Sequence, residues 1–336
     1  MPGLIDLHCD AIEKEAEPRS NVLFPLDFAL AQVDRRNAMS GITTPYHALS
    51  FSNKEWGVRS NDTAAALARA IHDFGEQGLL DNRVHLRYEI TDPNALPLIE
   101  DLIDAGAANM VSVMDHSPGQ GQFKTLEAYL QYMMGNHGMG RAQAEEAAQV
   151  KLMGAEGAIE RVERLIAHAR RAGVATASHD DDSVQRIATI RNLGVAISEF
   201  PINLDTATAA TSCGLATVLG APNVLRGGSQ SGSMRAIDGI RAGVTSCLCS
   251  DYQPSTLIAA VFTVLEQSDL TMPQAAALVT RNPADAASLA DRGRIQSGLR
   301  ADLAAVGRQG RLPQVSHVWS AGRLVCATRY PAALAA

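Results

Sequence analysis

The chain has 336 residues, 46% hydrophobic and 19% charged, with mean hydropathy near zero, which excludes a disordered chain and allows a large core. Twenty-nine Lys and Arg against 36 Asp and Glu give a net charge of −7. That argues against a nucleic-acid or anionic-membrane coat but not against a local basic pocket. Length alone allows one large domain or about two ordinary ones.

Cys9, Cys213, Cys247, Cys249 and Cys326 form no CxxC pair and no disulfide-scaffold spacing, which points to a reducing cytoplasm. No apolar run reaches the roughly 20 residues needed to span a bilayer. Met1-Pro-Gly-Leu-Ile-Asp-Leu-His8 has no charged n-region or apolar h-region, so no leader is expected.

In chain order, β-type runs fall at Leu4–His8, Gly41–Tyr46, Val84–Ile90, Met110–Asp115, Val174–His179, Val195–Phe200, Asn223–Leu225 and Thr245–Ser250. Helix-like stretches alternate with them at Asp62–Gln77, Asn94–Ala105, Ala155–Ala172, Asp182–Asn192 and Leu204–Cys213. Eight such runs suit a parallel sheet closed as a (β/α)8 TIM barrel. An open doubly wound sheet is the competitor, but no G-x-G-x-x-G follows the first run. Gln120–Met153 is too long for a simple connection and is expected to be a helical insertion whose Met and aromatic residues pack locally. Beyond Asn282-Pro283 the texture changes. Arg294–Gly298, Ala301–Val306, His317–Trp319 and Gly322–Val325 read as short strands. The expected organisation is a barrel over residues 1–285 and a small β layer over 286–336.

Functional groups of such barrels collect at the C-terminal ends of the strands. Six of the eight ends carry His, Asp or Glu: His8 and Asp10, Glu89, Asp115 and His116, His179 with Asp180, Asp181 and Asp182, Glu199, and Asp251. Residues i and i+2 of a strand share a face, so His8 and Asp10 are expected to point the same way. Burying so many carboxylates together is costly without compensating cations. A mixed imidazole–carboxylate set suits zinc first, with manganese or iron as alternatives, one or two ions per chain. Such an ion acidifies bound water and polarises an electrophile, which favours hydrolysis, and Asp251 is the candidate base. The stretch Arg226, Gly227, Gly228, Ser229, Gln230, Ser231, Gly232 offers backbone N–H groups and a guanidinium to an anion. Arg87, Arg19 and Arg235 could add positive charge, although each type is more often a surface ion-pair partner. Cys247 and Cys249 read as packing residues.

Pro2–Asp10, the His179 strand, Asp251 and the tail Gly298-Leu-Arg-Ala-Asp-Leu303 resemble the amidohydrolase superfamily of metal-dependent hydrolases. Met114–Gln120, Ala177–Asp181, Glu199–Pro201, Gly220–Gly232 and Ser250–Tyr252 resemble one branch of it, the PhnM-like diphosphatases of phosphonate catabolism. The resemblance implies a barrel with a flanking β-sandwich. It also implies release of pyrophosphate from a ribose 5-triphosphate that carries methylphosphonate at C1. By position it makes His8, Asp10 and His179 metal ligands, Asp251 the last-strand carboxylate and Glu89 a bridging ligand. Glu199 stands where the family usually has a sixth-strand His, and His116 fills the gap. Family members carry several dozen residues before this start, so the sandwich is expected to be N-terminally truncated. The implied partner is a small phosphorylated sugar, with no nucleic acid and no membrane, and self-association stays open. The alternatives are C–N bond hydrolysis by the same site type, which the phosphate-type loop disfavours, and a non-catalytic subunit of a phosphonate-pathway complex.

Overall fold

The computed structural model describes residues 1–19, 22–52, 60–121, 123, 125–229, 232–310 and 312–330. Eight parallel strands follow one another in chain order in a single sheet: β1 (Leu4–Cys9), β2 (Ile42–Phe51), β3 (Arg83–Glu89), β4 (Met110–Met114), β5 (Ala175–His179), β6 (Ile197–Glu199), β7 (Ala216–Gly220) and β8 (Cys247–Cys249). A parallel bridge between Cys9 and Asp251 continues from the end of β8 to the end of β1. This is the strand order of a (β/α)8 barrel. Among the described residues, no helix is long and apolar enough to cross a membrane.

The connecting helices include α1 (Ala11–Ala16), α2 (Leu26–Met39), α3 (Asn61–Phe74), α4 (Ala95–Asp104), α5 (Leu126–His137), α6 (Arg141–Gly154), α7 (Ala158–Arg171), α8 (Val184–Leu193), α9 (Leu204–Ser212) and α10 (Ala221–Arg226). Helix α8 shows the local logic. The Ser183 side chain accepts the Arg186 N–H at its start, and Gly194, at φ 87°, ends it in the left-handed conformation.

The chain divides into two compact units, Met1–Ala48, Ala70–Val84 and Val218–Ala336 in one, Leu49–Arg69 and His85–Thr217 in the other. In the first unit, Leu4, Ile42, Leu219 and Leu248 of the parallel strands share a core with Leu257 and Val261 of the following helix and with Val315 and Val318. The last two lie on the middle strand of an antiparallel sheet, β9 (Leu303–Gln309), β10 (Leu312–Ser320) and β11 (Arg323–Ala327), ordered β11-β10-β9. The Met1 amino group donates to the Ala304 carbonyl at 3.0 Å, and Gly3 N–H donates to Asp302 O at 2.8 Å. The first residues thereby lie along the start of β9.

Two expected strands are not strands. The seventh is Ala216–Gly220, and Asn223–Leu225 lies inside α10. A run of three residues with only two apolar ones does not distinguish strand from helix. What decides is Pro222, whose missing N–H costs nothing in a first turn, with Gly227 at φ 75° closing the helix after Arg226. Arg294–Gly298 forms turns, with Arg294 forked onto Asp285 and Ile295 68% exposed, so no covered face calls for alternation there.

Behind β1 and β2 a buried polar chain links three elements. His47 Nε2 lies 2.8 Å from Asn82 Oδ1, Asn82 donates to Asp34 Oδ1 at 2.8 Å, and Leu79 N–H donates to Asp34 Oδ2 at 2.7 Å. Burial pushes the His47 imidazole down to about 4 from its usual 6.5, and the Asn82 contact opposes this only in part. The sign follows from proton counting. Between pH 6.5 and 4 the unfolded chain binds a proton at His47 that the folded chain refuses, so stability falls as pH drops through that window. Urea unfolding of the wild type should lose about 2 kcal/mol between pH 7 and pH 5 from this group. His47→Gln should flatten that part of the profile. An unchanged slope in the variant rules out His47 as its source.

Candidate metal centre

Strand period two builds the centre of the second unit. Along β3, His85, Arg87 and Glu89 alternate with Val84, Leu86 and Tyr88, so the three polar side chains share one face of the sheet. All three are buried. Register sets Glu89 against Met114, Arg87 against Ser112, and His179 against Glu199.

His116, His179 and Asp180 each offer a ligand atom, and those atoms lie within 4.8 Å of one another. The two imidazoles meet edge to face at 5.9 Å between centroids. Asp180 Oδ2 is 3.3 Å from His179 Nδ1 and 3.7 Å from His116 Nε2. Burial opposes ionisation of Asp180, but the two neighbouring imidazoles outweigh it and hold the carboxyl well below the usual carboxylate range. The Asp180 backbone adopts φ 55° and its N–H donates to Glu199 O at 2.9 Å. The turn after β5 is fastened from below, because Asp181 accepts the hydroxyls of Ser178 and Ser198 at 2.6 Å each. A small cleft beside the cluster is lined by Asp115, Gln120, Gly121, His179, Asp180, Asp182 and Arg186.

Glu89 adjoins this cluster. Its Oε2 is 3.4 Å from His116 Nδ1 and accepts the His116 N–H at 3.3 Å, while its Oε1 accepts the Thr91 hydroxyl at 2.9 Å. Lys151 Nζ, on α6, donates to Glu89 Oε2 at 2.8 Å. Arg87 Nη2 approaches His179 Nε2 at 3.4 Å, and the buried Arg87 Nε has no hydrogen-bond partner. Glu199 is fully buried, with Oε2 3.7 Å from His85 Nε2, which itself lies 2.8 Å from Ser112 Oγ. The insertion closes on the cluster through its own core, in which Phe123, Tyr129, Leu130 and Met133 pack with Ala144 and Ala148. Phe123 meets the His116 ring edge to face. This is the local packing expected of the insertion's aromatic residues and Met133.

In the first unit, His8 is buried near the end of β1, and its carbonyl accepts the Asp251 N–H at 2.9 Å. Asp10 N–H donates to Asp251 O at 3.1 Å. Asp10 stands just past β1 as the residue that caps α1, so strand alternation does not reach it. Asp251 adopts φ 55°. Arg226 is the exposed last residue of α10 rather than part of a loop. Gly227, Gly228, Ser229 and Gly232 follow it, and Ser231 and Gln230 lie outside the described residues. Asn223 spans that stretch: its backbone carbonyl accepts from Gly227 and Gly228, and its side chain donates to Met234 O and accepts from Ala236 N. Arg235 is forked onto Asp238 at 2.7 Å through both nitrogens, and Arg19 is exposed. Cys247 and Cys249 are buried, as packing residues are.

Two members of the centre, His85 and Lys151, had not been expected. His85 was accessible from the same alternation that placed Arg87 and Glu89. Lys151, 62 residues from Glu89 on an inserted helix, carried no signal.

The strand order is that of a (β/α)8 barrel, and this constellation of imidazoles and carboxylates is a candidate metal site. The amidohydrolase family model matches residues 1–325, and the chain belongs to that family. It is 36% identical over 330 residues, 97% of its own length and 87% of the relative's, to the alpha-D-ribose 1-methylphosphonate 5-triphosphate diphosphatase of Escherichia coli (strain K12). Among solved structures it resembles A. niger ochratoxinase, with a TM-score of 0.63 and 14% identity over 98% of this chain and 83% of that one. It also resembles the N-acetylglucosamine-6-phosphate deacetylase of Thermotoga maritima, with a TM-score of 0.60 and 13% identity over 98% and 89%. At that identity these two speak for the fold alone.

Proposed function

We propose that the chain hydrolyses a phosphoanhydride of α-D-ribose 1-methylphosphonate 5-triphosphate, giving the 5-phosphate and pyrophosphate, with a divalent cation as cofactor. The observation that carries this is the 36% identity to a diphosphatase of that substrate across 97% of the chain. In this reading residues 1–285 are the hydrolase barrel and 286–336 a small β layer. The donor chemistry fits a metal: the buried His179 imidazole and the half-buried His116 imidazole and Asp180 carboxylate, with ligand atoms mutually within 4.8 Å, are what zinc, manganese or iron takes.

His116, His179 and Asp180 would hold the ion, with Glu89 beside them. His8, Asp10, Glu199 and Asp251 have the ligand roles that the family resemblance assigns. A divalent ion bound there acidifies water and polarises a phosphoryl oxygen. Asp251 accepts the proton of the attacking water as its oxygen bonds to phosphorus and the bond to the leaving pyrophosphate breaks. Arg87 has a buried Nε–H to offer an anionic substrate, and Arg226, Gly227, Gly228, Ser229, Ser231 and Gly232 keep the phosphate-binding role read for them from the sequence. The enzyme is cytoplasmic in this reading, and its partner is the small phosphorylated sugar.

The deciding experiment loads purified protein with Zn2+ or Mn2+ and assays pyrophosphate release beside ammonia release and amide cleavage. Pyrophosphate from the ribose triphosphate supports the reading. No pyrophosphate from it or from any nucleoside triphosphate overturns it.

A further inference from the structure

Lys151 reaches the centre from the insertion. It is 11% exposed, and its ammonium touches the Glu89 oxygen that also lies against His116. Ordering a lysine side chain costs up to about 2 kcal/mol, and desolvating its charge costs more. The helix does not need that contact to stay in place. Gly154, at the end of α6, lies so close to β3 that a Cβ there would sit 1.9 Å from the Thr91 carbonyl oxygen. Arg161 ties the same point by donating to the Gly154 and Ile90 carbonyls. The helix end is thus fixed by backbone packing and by Arg161, and Lys151 projects from it on a flexible stem.

A carboxylate as buried as Glu89 needs a cation beside it. We propose that Lys151 is the resident counter-ion of Glu89, the cation that a divalent metal must displace, and that it thereby sets the metal affinity of the Glu89 position. This rests on Glu89 being a metal ligand, as in the function proposed above. The ammonium and the metal compete for one oxygen. Removing the ammonium therefore strengthens metal binding, whereas removing a group that merely orients Glu89 weakens it. The sign of the change separates the two roles.

The test is calorimetric titration with Mn2+ and Zn2+, without substrate, of the wild type, Lys151→Gln, Lys151→Arg and the double variant Lys151→Gln/Glu89→Gln. Lys151→Gln should bind about ten-fold more tightly, the scale on which groups around a metal's ligands move its affinity. Lys151→Arg should keep wild-type affinity or bind more weakly, and the double variant should lose the gain. Affinity unchanged or weakened in Lys151→Gln overturns the proposal. A second measurement does not depend on that variant folding. In the wild type, acylation of Lys151 by an amine-reactive ester, read by peptide mass spectrometry, should rise several-fold on Mn2+ addition, and an unchanged rate also overturns it. If no variant binds metal, the functional reading falls as well. If metal binds but Lys151 has no effect on it, only this proposal falls.

Discussion

In the proposed metal-dependent hydrolase, His179→Ala should abolish metal binding at the His116–His179–Asp180 cluster and lower kcat/KM by about a thousand-fold or more. The number follows from the several kcal/mol of charge stabilisation a metal supplies, at about 1.4 kcal/mol per ten-fold in rate. His179 is the member most bound up with its neighbours. Its ring packs against His116 and Phe200, its Nδ1 faces Asp180, and its Nε2 faces Arg87. Metal content by mass spectrometry and steady-state kinetics check this together. Full metal occupancy in a folded His179→Ala variant would show that the ion, if bound, is held elsewhere.

Arg292→Met should be the most destabilising single change in the first unit. Arg292 is 5% exposed and donates to both Asp291 oxygens at 2.8 and 3.0 Å, to Thr44 Oγ1 at 3.0 Å, and to Asp81. Asp302 Oδ2 stands 3.8 Å away. Burial would raise the Asp81 carboxyl, but Arg83 and Arg292 outweigh it and hold the group below the usual range. Asp81 is only partly exposed and would keep Arg83 alone, and Asp302 would keep Arg300, so the loss should reach the lower end of the cost of breaking a buried pair, about 3 kcal/mol. The methionine fills the space of the aliphatic stem, so the loss reports the charge and not a cavity. Urea unfolding at pH 7 measures it, and a change below about 1 kcal/mol would mean that Arg83 alone suffices for Asp81. Asp81 also fixes the sign on acidification. Its depressed folded value means that its stabilisation is present above about pH 4 and lost as pH falls.

The strand order and most strand ends that carry His, Asp or Glu were legible in the sequence, because parallel strands covered on both faces read as apolar runs that stop abruptly at such residues. The seventh strand was hidden because Ala216–Gly220 is short and ends without a charged residue, and the apolar Val224-Leu225 pair just after it competes for the same reading. The fastening of Asp181 by Ser178 and Ser198 depends on two strands meeting. The chain from His47 through Asn82 to Asp34 joins residues 35 and 48 positions apart. No local period encodes such contacts. Lys151 is the extreme case, since the helix that carries it buries only Ala144 and Ala148, in its own small core, and that pattern says nothing about Glu89.

Asp180, Phe200 and Asp251 sit just beyond β5, β6 and β8, and all three hold φ near +50° without being glycine. Asparagine and aspartate tolerate that backbone best, and a phenylalanine there is held against its own preference. For anyone remodelling the loops at these strand ends, the three residues are pivots. Loop length and composition can vary downstream of them, but each pivot favours Asp, Asn or Gly among its replacements. A library that randomises the pivots together with the loops would consist largely of chains whose strands end facing the wrong way.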